Sequence, residues 1–279
     1  EEKIAIGLSI LHEEDPTFVY RVDPELKQTI ISGQGELHLD ISLKRISKRF
    51  NVELVTHTPK VPYRETITAK SASKYRHKKQ SGGSGQFAEV WMRIEPNERG
   101  QGVDFSNSLA GQNVDRGFVP SVEKGVNHIC EQGVIAGCQV VDVKIDFYDG
   151  KMHPVDSNDM AFQIAGRHAF SDAIKTAQPK LLEPIYKIQV KIPDDFTGDI
   201  MGDISSRRGR VQGMDSEGHY QVINAELPLA CLHDYSTALK AMSSGRGMFN
   251  QEFSHYEDMP PNEAQKVIST WESARAAGE

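Results

Sequence analysis

One order of strand and helix patterns occurs at both ends of the chain, and this order restricts the possible folds more than any other feature. From residue 184 to 253, the alternating segment PIYKIQVKI is followed by a helical pattern, two strand patterns, a second helical pattern and a last strand pattern. In the first helical pattern, Phe196, Ile200 and Ile204 lie one turn apart and share a face. The order βαββαβ predicts a ferredoxin-like domain over residues 182 to 279.

Three further features belong to this domain. A turn at DSEG, residues 215 to 218, is predicted to join the two central strands. The second helix is predicted to bury one face, formed by Leu232, Tyr235, Leu239 and Met242. A last helical pattern, with Val267, Ile268 and Trp271 on its apolar side, follows the final strand. We assign this C-terminal helix to the same domain.

Residues 1 to 59 carry the same plan without its opening strand. A helical pattern is followed by two strand patterns, by a second helical pattern over GELHLDISLKRISKRF, and by a closing strand at VELVT. The order αββαβ predicts a truncated ferredoxin-like domain. We therefore expect the chain to begin inside a domain whose opening strand lies upstream.

Residues 60 to 181 follow a different pattern. Extended segments flank a Gly-Ser tract, a helix is predicted from Pro120 to Gln132 with Gly133 past its end, and CQVVDVKIDFY predicts one long strand. A polar turn then leads into another helix, for which Ser157 is the predicted N-cap. These signals indicate an elongated α+β domain with a loop tip. The whole chain is therefore predicted to be of the α+β class, with three domains.

The Gly-Ser tract QSGGSGQ allows two interpretations, a phosphate-binding loop or the tip of a β-hairpin. No acidic residue occurs between Glu65 and Glu89, and the basic residues of that interval are Lys70, Lys74, Arg76, Lys78 and Lys79. A P-loop would end in Gly-Lys-Ser/Thr and lead into a helix, but this tract leads into the strand-like segment FAEVWMRI. The sequence favours a hairpin tip on a positively charged stem, suited to contact with folded RNA.

Motifs of catalysis or metal binding do not occur. The chain has neither a Gly-x-Ser-x-Gly nor a His-Glu-x-x-His sequence. Its three cysteines, Cys130, Cys138 and Cys231, fit no zinc-binding spacing and are expected to be free thiols. We expect no catalytic residue, no metal and no cofactor in this chain.

Composition agrees with a globular cytoplasmic protein. Hydrophobic residues make up 38% of the 279 residues and charged residues 25%, and no apolar run approaches the roughly 20 residues that span a bilayer. The net charge of −7 argues against bulk coating of nucleic acid, although it hides the local basic segment. We expect a monomer.

Six motifs, in order, resemble the third, fourth and fifth domains of bacterial translation elongation factor G. They are QTIISGQGELHLDI, PKVPYRETI, QSGGSGQF, YDGKMHPVDSNDMAF, LLEPI and GDIMGDISSRRGRVQG. The resemblance covers essentially the whole chain. It implies that the parent protein is a GTPase whose active site, with GTP and magnesium, lies in N-terminal domains that this chain lacks. It further implies that this half couples GTP hydrolysis to movement of tRNA and mRNA on the ribosome.

The resemblance also assigns roles to residues of this chain. It implies that two tip loops face tRNA and mRNA, with the residues Gln80, Ser81, Gly82, Gly83, Ser84, Gly85, Gln86, His153 and Asp156. It implies RNA-facing basic residues, which are Lys74, Arg76, Lys78, Lys79, Arg207, Arg208 and Arg210. For the last three, a basic helix end that favours the helix dipole is the alternative interpretation.

Two positions depart from the family pattern. Ser84 stands where most elongation factors G have an arginine, and Pro154 stands where they have an acidic residue. A divergent paralogue, acting in ribosome recycling or in tetracycline resistance, is therefore an alternative to the main translocase. A small-molecule enzyme on ferredoxin-like domains is the alternative outside the family. The tip segment His-Arg-Gly-Gly-Gly-Gln of the archaeal and eukaryotic counterparts does not occur in this sequence, which favours a bacterial source.

Overall fold

The computed structural model of the chain describes residues 2 to 80 and 85 to 277. In the described residues the helices are α1 (Glu2–Glu14), α2 (Glu36–Phe50), α3 (Val119–Gln132), α4 (Asp159–Thr176), α5 (Thr197–Ser206), α6 (Tyr235–Met242) and α7 (Pro261–Ala277). The strands are β1 (Val19–Asp23), β2 (Gln28–Ser32), β3 (Arg64–Ile67), β4 (Ser71–Lys79), β5 (Gln86–Pro96), β6 (Val103–Asn107), β7 (Gln139–Val140), β8 (Val143–Lys151), β9 (Pro179–Pro193), β10 (Arg210–Glu217), β11 (Tyr220–Pro228) and β12 (Met248–Asp258). The predicted α+β class is confirmed.

The chain divides into two compact units. The first combines Glu1–Pro62 with Pro184–Tyr256, and the second combines Tyr63–Glu183 with Glu257–Glu279. No helix in the described ranges has both the length and the apolar character to cross a membrane.

In the first unit, α1, β1, β2 and α2 follow the predicted order. Strands β1 and β2 are antiparallel, and the small core beneath them is formed by Leu8, Leu11, Phe18 and Ile46. The predicted closing strand at VELVT is wrong, because residues 52 to 56 form no strand. Val52 and Leu54 pack against the core while Val55 is exposed. The side chains thus alternate as in a strand, but alternation of side chains does not ensure backbone pairing.

The rest of the first unit contains β9 from Pro184 onward, α5, β10, β11, α6 and β12 as far as Tyr256, which is the predicted βαββαβ order. Strand β11 lies between β10 and β9, antiparallel to both, and β12 pairs with β9. Helices α5 and α6 contribute Ile200, Ile204, Tyr235 and Leu239 to its core. The hairpin turn lies two residues beyond the predicted DSEG turn, because Gly218, with φ of 67°, supplies the left-handed conformation.

The second unit is built on a four-stranded sheet with the order β4-β5-β8-β6. The pairs β4–β5 and β5–β8 are antiparallel, and β6 runs parallel to β8. Helices α3 and α4 cover one face of this sheet. Their residues Val122, Val126, Phe162 and Phe170 share a core with inward-facing residues of the strands, including Val90, Met92 and Phe147.

Two details of this unit differ from the sequence prediction. The predicted long strand is interrupted at Asp142, which has φ of 58° and a carboxylate that accepts hydrogen bonds from the backbone N–H groups of Gly100 and Gly102, both at 3.0 Å. The N-cap of α4 is Asn158, whose Oδ1 accepts a hydrogen bond from the Ala161 N–H at 2.9 Å. Ser157 instead bonds to the neighbouring hairpin.

A buried carboxylate organises the loop between α3 and β7. Glu65 has no exposed surface, and its two oxygens accept four backbone N–H bonds of 2.7 to 3.1 Å, from Val134, Ile135, Ala136 and Cys138. Hydrogen bonds to an ionised group are stronger than those between neutral groups. The Glu65 side chain therefore fixes the path of this loop.

The C-terminal helix α7 packs within the second unit. Its residues Ala264, Val267 and Ile268 lie against a cluster that includes Ala136 and Leu181. The sequence prediction placed this helix in the domain of residues 182 to 279 because it directly follows the last strand pattern of that domain. Its apolar side was visible in the sequence, but the surface that covers this side is determined by the tertiary fold.

Candidate nucleic-acid interface

Two loops lie side by side at the end of the β4–β5 hairpin. The N–H of Phe87 donates to the carbonyl oxygen of Asp156 at 2.8 Å, and Ser157 Oγ donates to the carbonyl oxygen of Phe87 at 2.7 Å. A Cβ atom on Gly85 would lie 2.9 Å from Asp156 Cγ, so glycine allows this approach. Among the predicted tip residues, Ser81, Gly82, Gly83 and Ser84 lie outside the described residues.

His153 closes the second loop on itself. Its Nδ1 lies 3.3 Å from the backbone nitrogen of Val155 and 3.2 Å from that of Asp156. Both nitrogens are donors, so Nδ1 is the acceptor and the ring hydrogen belongs on Nε2. The Nδ1 atom is also 3.3 Å from Asp156 Oδ2, but the two backbone donors determine its role. The side chain is half exposed, with 51% of its surface accessible. His153 thus presents an N–H group to the outside.

Gln86 is oriented by its neighbour on the adjacent strand. Its Oε1 lies 3.0 Å from His77 Nε2, and the two side chains are diagonal partners, because Lys79 is the residue directly opposite Gln86. With the carbonyl oxygen engaged, the NH₂ group is the part of the amide left to bind a ligand. A hydrogen-bond acceptor, such as a phosphate or a base carbonyl, would suit it. Gln80, the other described glutamine of the tip, is exposed.

The four basic residues predicted on the stem differ in their surroundings. Arg76 forms an ion pair with Glu89, which is buried and also accepts a hydrogen bond from Trp91 Nε1 at 2.8 Å. Burial alone would raise the pKa of Glu89, but the hydrogen bonds from Trp91 and Arg76 outweigh it and lower this pKa. The Lys74 ammonium lies 5.7 Å from the centre of the Trp91 ring. Lys78 and Lys79 are exposed and form no ion pair with any described residue.

The arginines after α5 differ in their exposure to solvent. Arg207 donates to Asp203 Oδ2 at 2.8 Å, to Asp234 Oδ1 at 2.7 Å and to the carbonyl oxygen of Cys231 at 2.9 Å. Burial lowers the pKa of Arg207, but its two carboxylate partners raise it more. Arg207 is thus held by partners on α5 and in the segment before α6. Arg208 and Arg210 have exposed side chains.

The described residues contain no group of His, Cys, Asp and Glu side chains that could hold a metal ion. Cys130 is buried, and burial together with the nearby Glu65 raises its pKa to about 12, so it is an inert thiol at neutral pH.

The sequence did not predict that Phe87 and Ser157 join the two tip loops, or that Glu89 pairs with Arg76. Glu89 pairs with Arg76 across the hairpin, so a hairpin register centred on the Gly-Ser tract would have found it. Ser157 and Phe87 are far apart in the chain, and no local signal indicates their contact.

Comparison with known proteins identifies the family. Sequence models match the chain in three consecutive parts: elongation factor G domain III at residues 1–58, elongation factor G domain IV at 59–178, and the elongation factor G C-terminus at 180–267. An elongation factor G-like protein of Thermotoga maritima is 45% identical over 268 residues, which are 96% of this chain and 39% of that protein.

A solved structure gives the same result. A crystal structure of a protein from Thermus thermophilus is 38% identical in sequence, has a TM-score of 0.83, and corresponds to 98% of this chain and 41% of its own chain. The chain thus spans about two fifths of the length of these relatives. With three family models in sequence order, the chain belongs to the elongation factor G family and carries its domain III, domain IV and C-terminal domain.

Proposed function

We propose that this chain is the ribosome-engaging portion of a bacterial translational GTPase, and that it couples GTP hydrolysis elsewhere in the parent protein to movement of tRNA and mRNA. Family membership supports this proposal. In this proposal the partners are the ribosome, tRNA and mRNA, the compartment is the cytoplasm, and the factor acts as a monomer.

The observation that carries the proposal is the pair of joined tip loops. Gln86 and His153 each have one polar atom tied to a neighbour, which leaves the amide NH₂ of Gln86 and the Nε2–H of His153 to act as donors. Both side chains are therefore oriented before any ligand binds. Fixed donors at a narrow tip suit recognition of phosphates and base edges in RNA.

We expect Gln86→Ala with His153→Ala, in the full-length factor, to slow single-round translocation about tenfold or more, equivalent to ~1.4 kcal/mol in the barrier. Loop changes of this kind should leave the melting temperature nearly unchanged. Gln86→Glu is a finer variant, because it keeps an oxygen for His77 and replaces the NH₂ donor with an acceptor. It should also slow translocation.

Gln101→Ala is the matched control for these variants. Gln101 is exposed in the loop beyond the other end of β5, and an eleven-residue strand separates the ends by about 33 Å. This control should translocate at the wild-type rate. If the tip variants both translocate and recycle ribosomes at the wild-type rates, the tip is only a turn. If they translocate normally but fail in ribosome recycling, the factor is the recycling paralogue.

Lys78 and Lys79, which form no ion pair with any described residue, should supply salt-sensitive affinity for RNA. We expect Lys78→Gln with Lys79→Gln to reduce the slope of log affinity against log salt concentration by about 0.7 to 0.9 for each phosphate that is no longer neutralised. Ribosome binding between 50 and 200 mM salt measures this slope. Arg76 should be kept, because its removal would leave the buried Glu89 without its charge partner. An unchanged slope would mean that the stem is merely solvated.

We also expect the chain alone to bind no GTP, because it lacks a P-loop sequence. Calorimetric titration with GTP and magnesium should give no heat of binding in the micromolar range. The full-length factor, titrated under the same conditions, is the positive control. Micromolar binding to the chain alone would contradict the assignment of the GTP site to the N-terminal domains.

A further inference from the structure

The outer face of the four-stranded sheet carries two aromatic rings among basic side chains. Helices α3 and α4 pack on the opposite face. On the outer face, Trp91 of β5 and Tyr148 of β8 are partly exposed, and their ring centres are 6.3 Å apart at an interplanar angle of 69°. They lie well inside the sheet, since Trp91 is five residues, or about 17 Å, from Gln86 along β5.

Both rings are held by their surroundings. The Trp91 indole donates to Glu89 Oε1 at 2.8 Å, and Glu89 is in turn paired with Arg76. Tyr148 lies at a bulge, where the register shifts so that Trp91 is opposite Asp149 while Met92 is opposite Phe147. Phe147 faces the core, so the alternation of side chains along β8 places Tyr148 on the outer face. The rings therefore need little ordering when a ligand binds.

Cations border the rings. The Lys74 ammonium lies 5.7 Å from the Trp91 ring centre, and the Arg93 guanidinium lies 5.4 Å from that of Tyr148. Two carboxylates of this face are paired, since Glu89 binds Arg76 and Asp146 binds Arg93. Asp149, opposite Trp91, accepts a hydrogen bond from Asn113 Nδ2 at 3.3 Å. The exposed lysines Lys74, Lys78 and Lys151 remain as the positive surplus.

We propose that this face binds single-stranded RNA, with bases stacking on Trp91 and Tyr148 and phosphates held by Lys74 and its neighbouring lysines. Aromatic rings on an open sheet, combined with a surplus of lysine and arginine, are what an unpaired polyanionic strand with planar bases requires. An acidic peptide would satisfy the charge but not the rings. The site is distinct from the tip loops and requires no contribution from them.

Trp91 fluorescence tests the proposal directly. The chain has two tryptophans, so Trp271→Phe makes Trp91 the only reporter. We expect titration with a twelve-residue oligouridylate at 50 mM salt to quench this fluorescence in a saturable manner. Fluorescence anisotropy of a labelled copy of the same oligonucleotide, with the unmodified chain, should give the same affinity and does not depend on the Trp271 variant.

Paired variants separate stacking from charge. Tyr148→Leu should weaken oligouridylate binding by about five- to 150-fold, as expected for loss of one stacked base, whereas Tyr148→Phe should bind nearly as wild type. Lys74→Gln should weaken binding and lower the salt slope by about 0.7. Lys124→Gln makes the same charge change on an exposed position of α3, in the opposite layer, and should have no effect.

Three results would overturn the proposal. The first is no binding of oligouridylate at 50 mM salt. The second is binding without quenching that neither Tyr148→Leu nor Lys74→Gln weakens, which would place the RNA elsewhere. The third is equal quenching by oligoglutamate, which would identify a general polyanion surface. Lys74 is exposed, so its variant gives a result even if Tyr148→Leu unfolds.

Discussion

Replacing Glu65 with Gln is expected to lower the free energy of unfolding of the second unit by about 3 kcal/mol or more. The carboxylate accepts two backbone N–H groups on each oxygen. A glutamine of the same shape would turn an NH₂ group toward two of these donors. Two hydrogen bonds would be lost, and one buried and one partly buried N–H group would have no acceptor. The buried group alone would cost about 1 to 3 kcal/mol.

Urea unfolding followed by tryptophan fluorescence measures this effect, because both tryptophans, Trp91 and Trp271, belong to the second unit. Glu123→Gln is the matched control, since Glu123 is exposed on α3 and its neutralisation should change stability by less than about 0.5 kcal/mol. If the two variants have the same free energy of unfolding, the charge of Glu65 does not contribute to the stability of the second unit.

The effect should extend to the C-terminal helix. The loop held by Glu65 includes Gly137, which has φ of 68° and on which a Cβ would lie 2.2 Å from Trp271 Nε1. The Trp271 ring therefore packs directly on the Gly137 backbone. Release of this loop removes the surface on which α7 rests, so Trp271 fluorescence should change at lower urea concentrations than Trp91 fluorescence.

Periodic features of the sequence gave the most reliable fold predictions. The βαββαβ order of residues 184 to 258 follows from alternating and helical patterns, which reflect which face each element buries. The end of α3 was also predictable, because Gly133 adopts φ of 77° immediately after the last helical residue.

Features that depend on distant partners could not be predicted in this way. Residues 52 to 56 have a strand pattern but form no strand, and the break at Asp142 depends on N–H groups in the loop at residues 97 to 102. The residues themselves predicted the Gly-Ser tract at a hairpin tip, whereas His153 was predicted at the tip only through family resemblance. The hydrogen bonds that join Phe87 to Asp156 and Ser157 became apparent only in the folded chain.

The contact between α3 and α4 determines where the second tip loop lies. At their crossing, a Cβ on Gly125 would lie 2.2 Å from the carbonyl oxygen of Gln163, and one on Gly166 would lie 3.0 Å from Val122. Glycines thus allow the two backbones to touch. Since α4 begins at Asp159, directly after the His153 loop, a change in the tilt of α4 would move this loop.

Gly125→Ala is therefore expected to destabilise the second unit by at least about 2 kcal/mol, because the new methyl group meets backbone that cannot rotate away. Gly202→Ala is the contrasting control. A Cβ on Gly202, in the middle of α5, meets nothing within 4 Å, so this variant should gain about 0.5 to 1 kcal/mol from helix propensity.

Urea unfolding measures the change in the free energy of unfolding for both variants. Fluorescence follows the unfolding of Gly125→Ala, and circular dichroism follows that of Gly202→Ala. If Gly125→Ala also slows translocation while Gly202→Ala does not, helix packing and tip position are coupled. If Gly125→Ala is as stable as wild type, the close crossing of α3 and α4 does not constrain the fold.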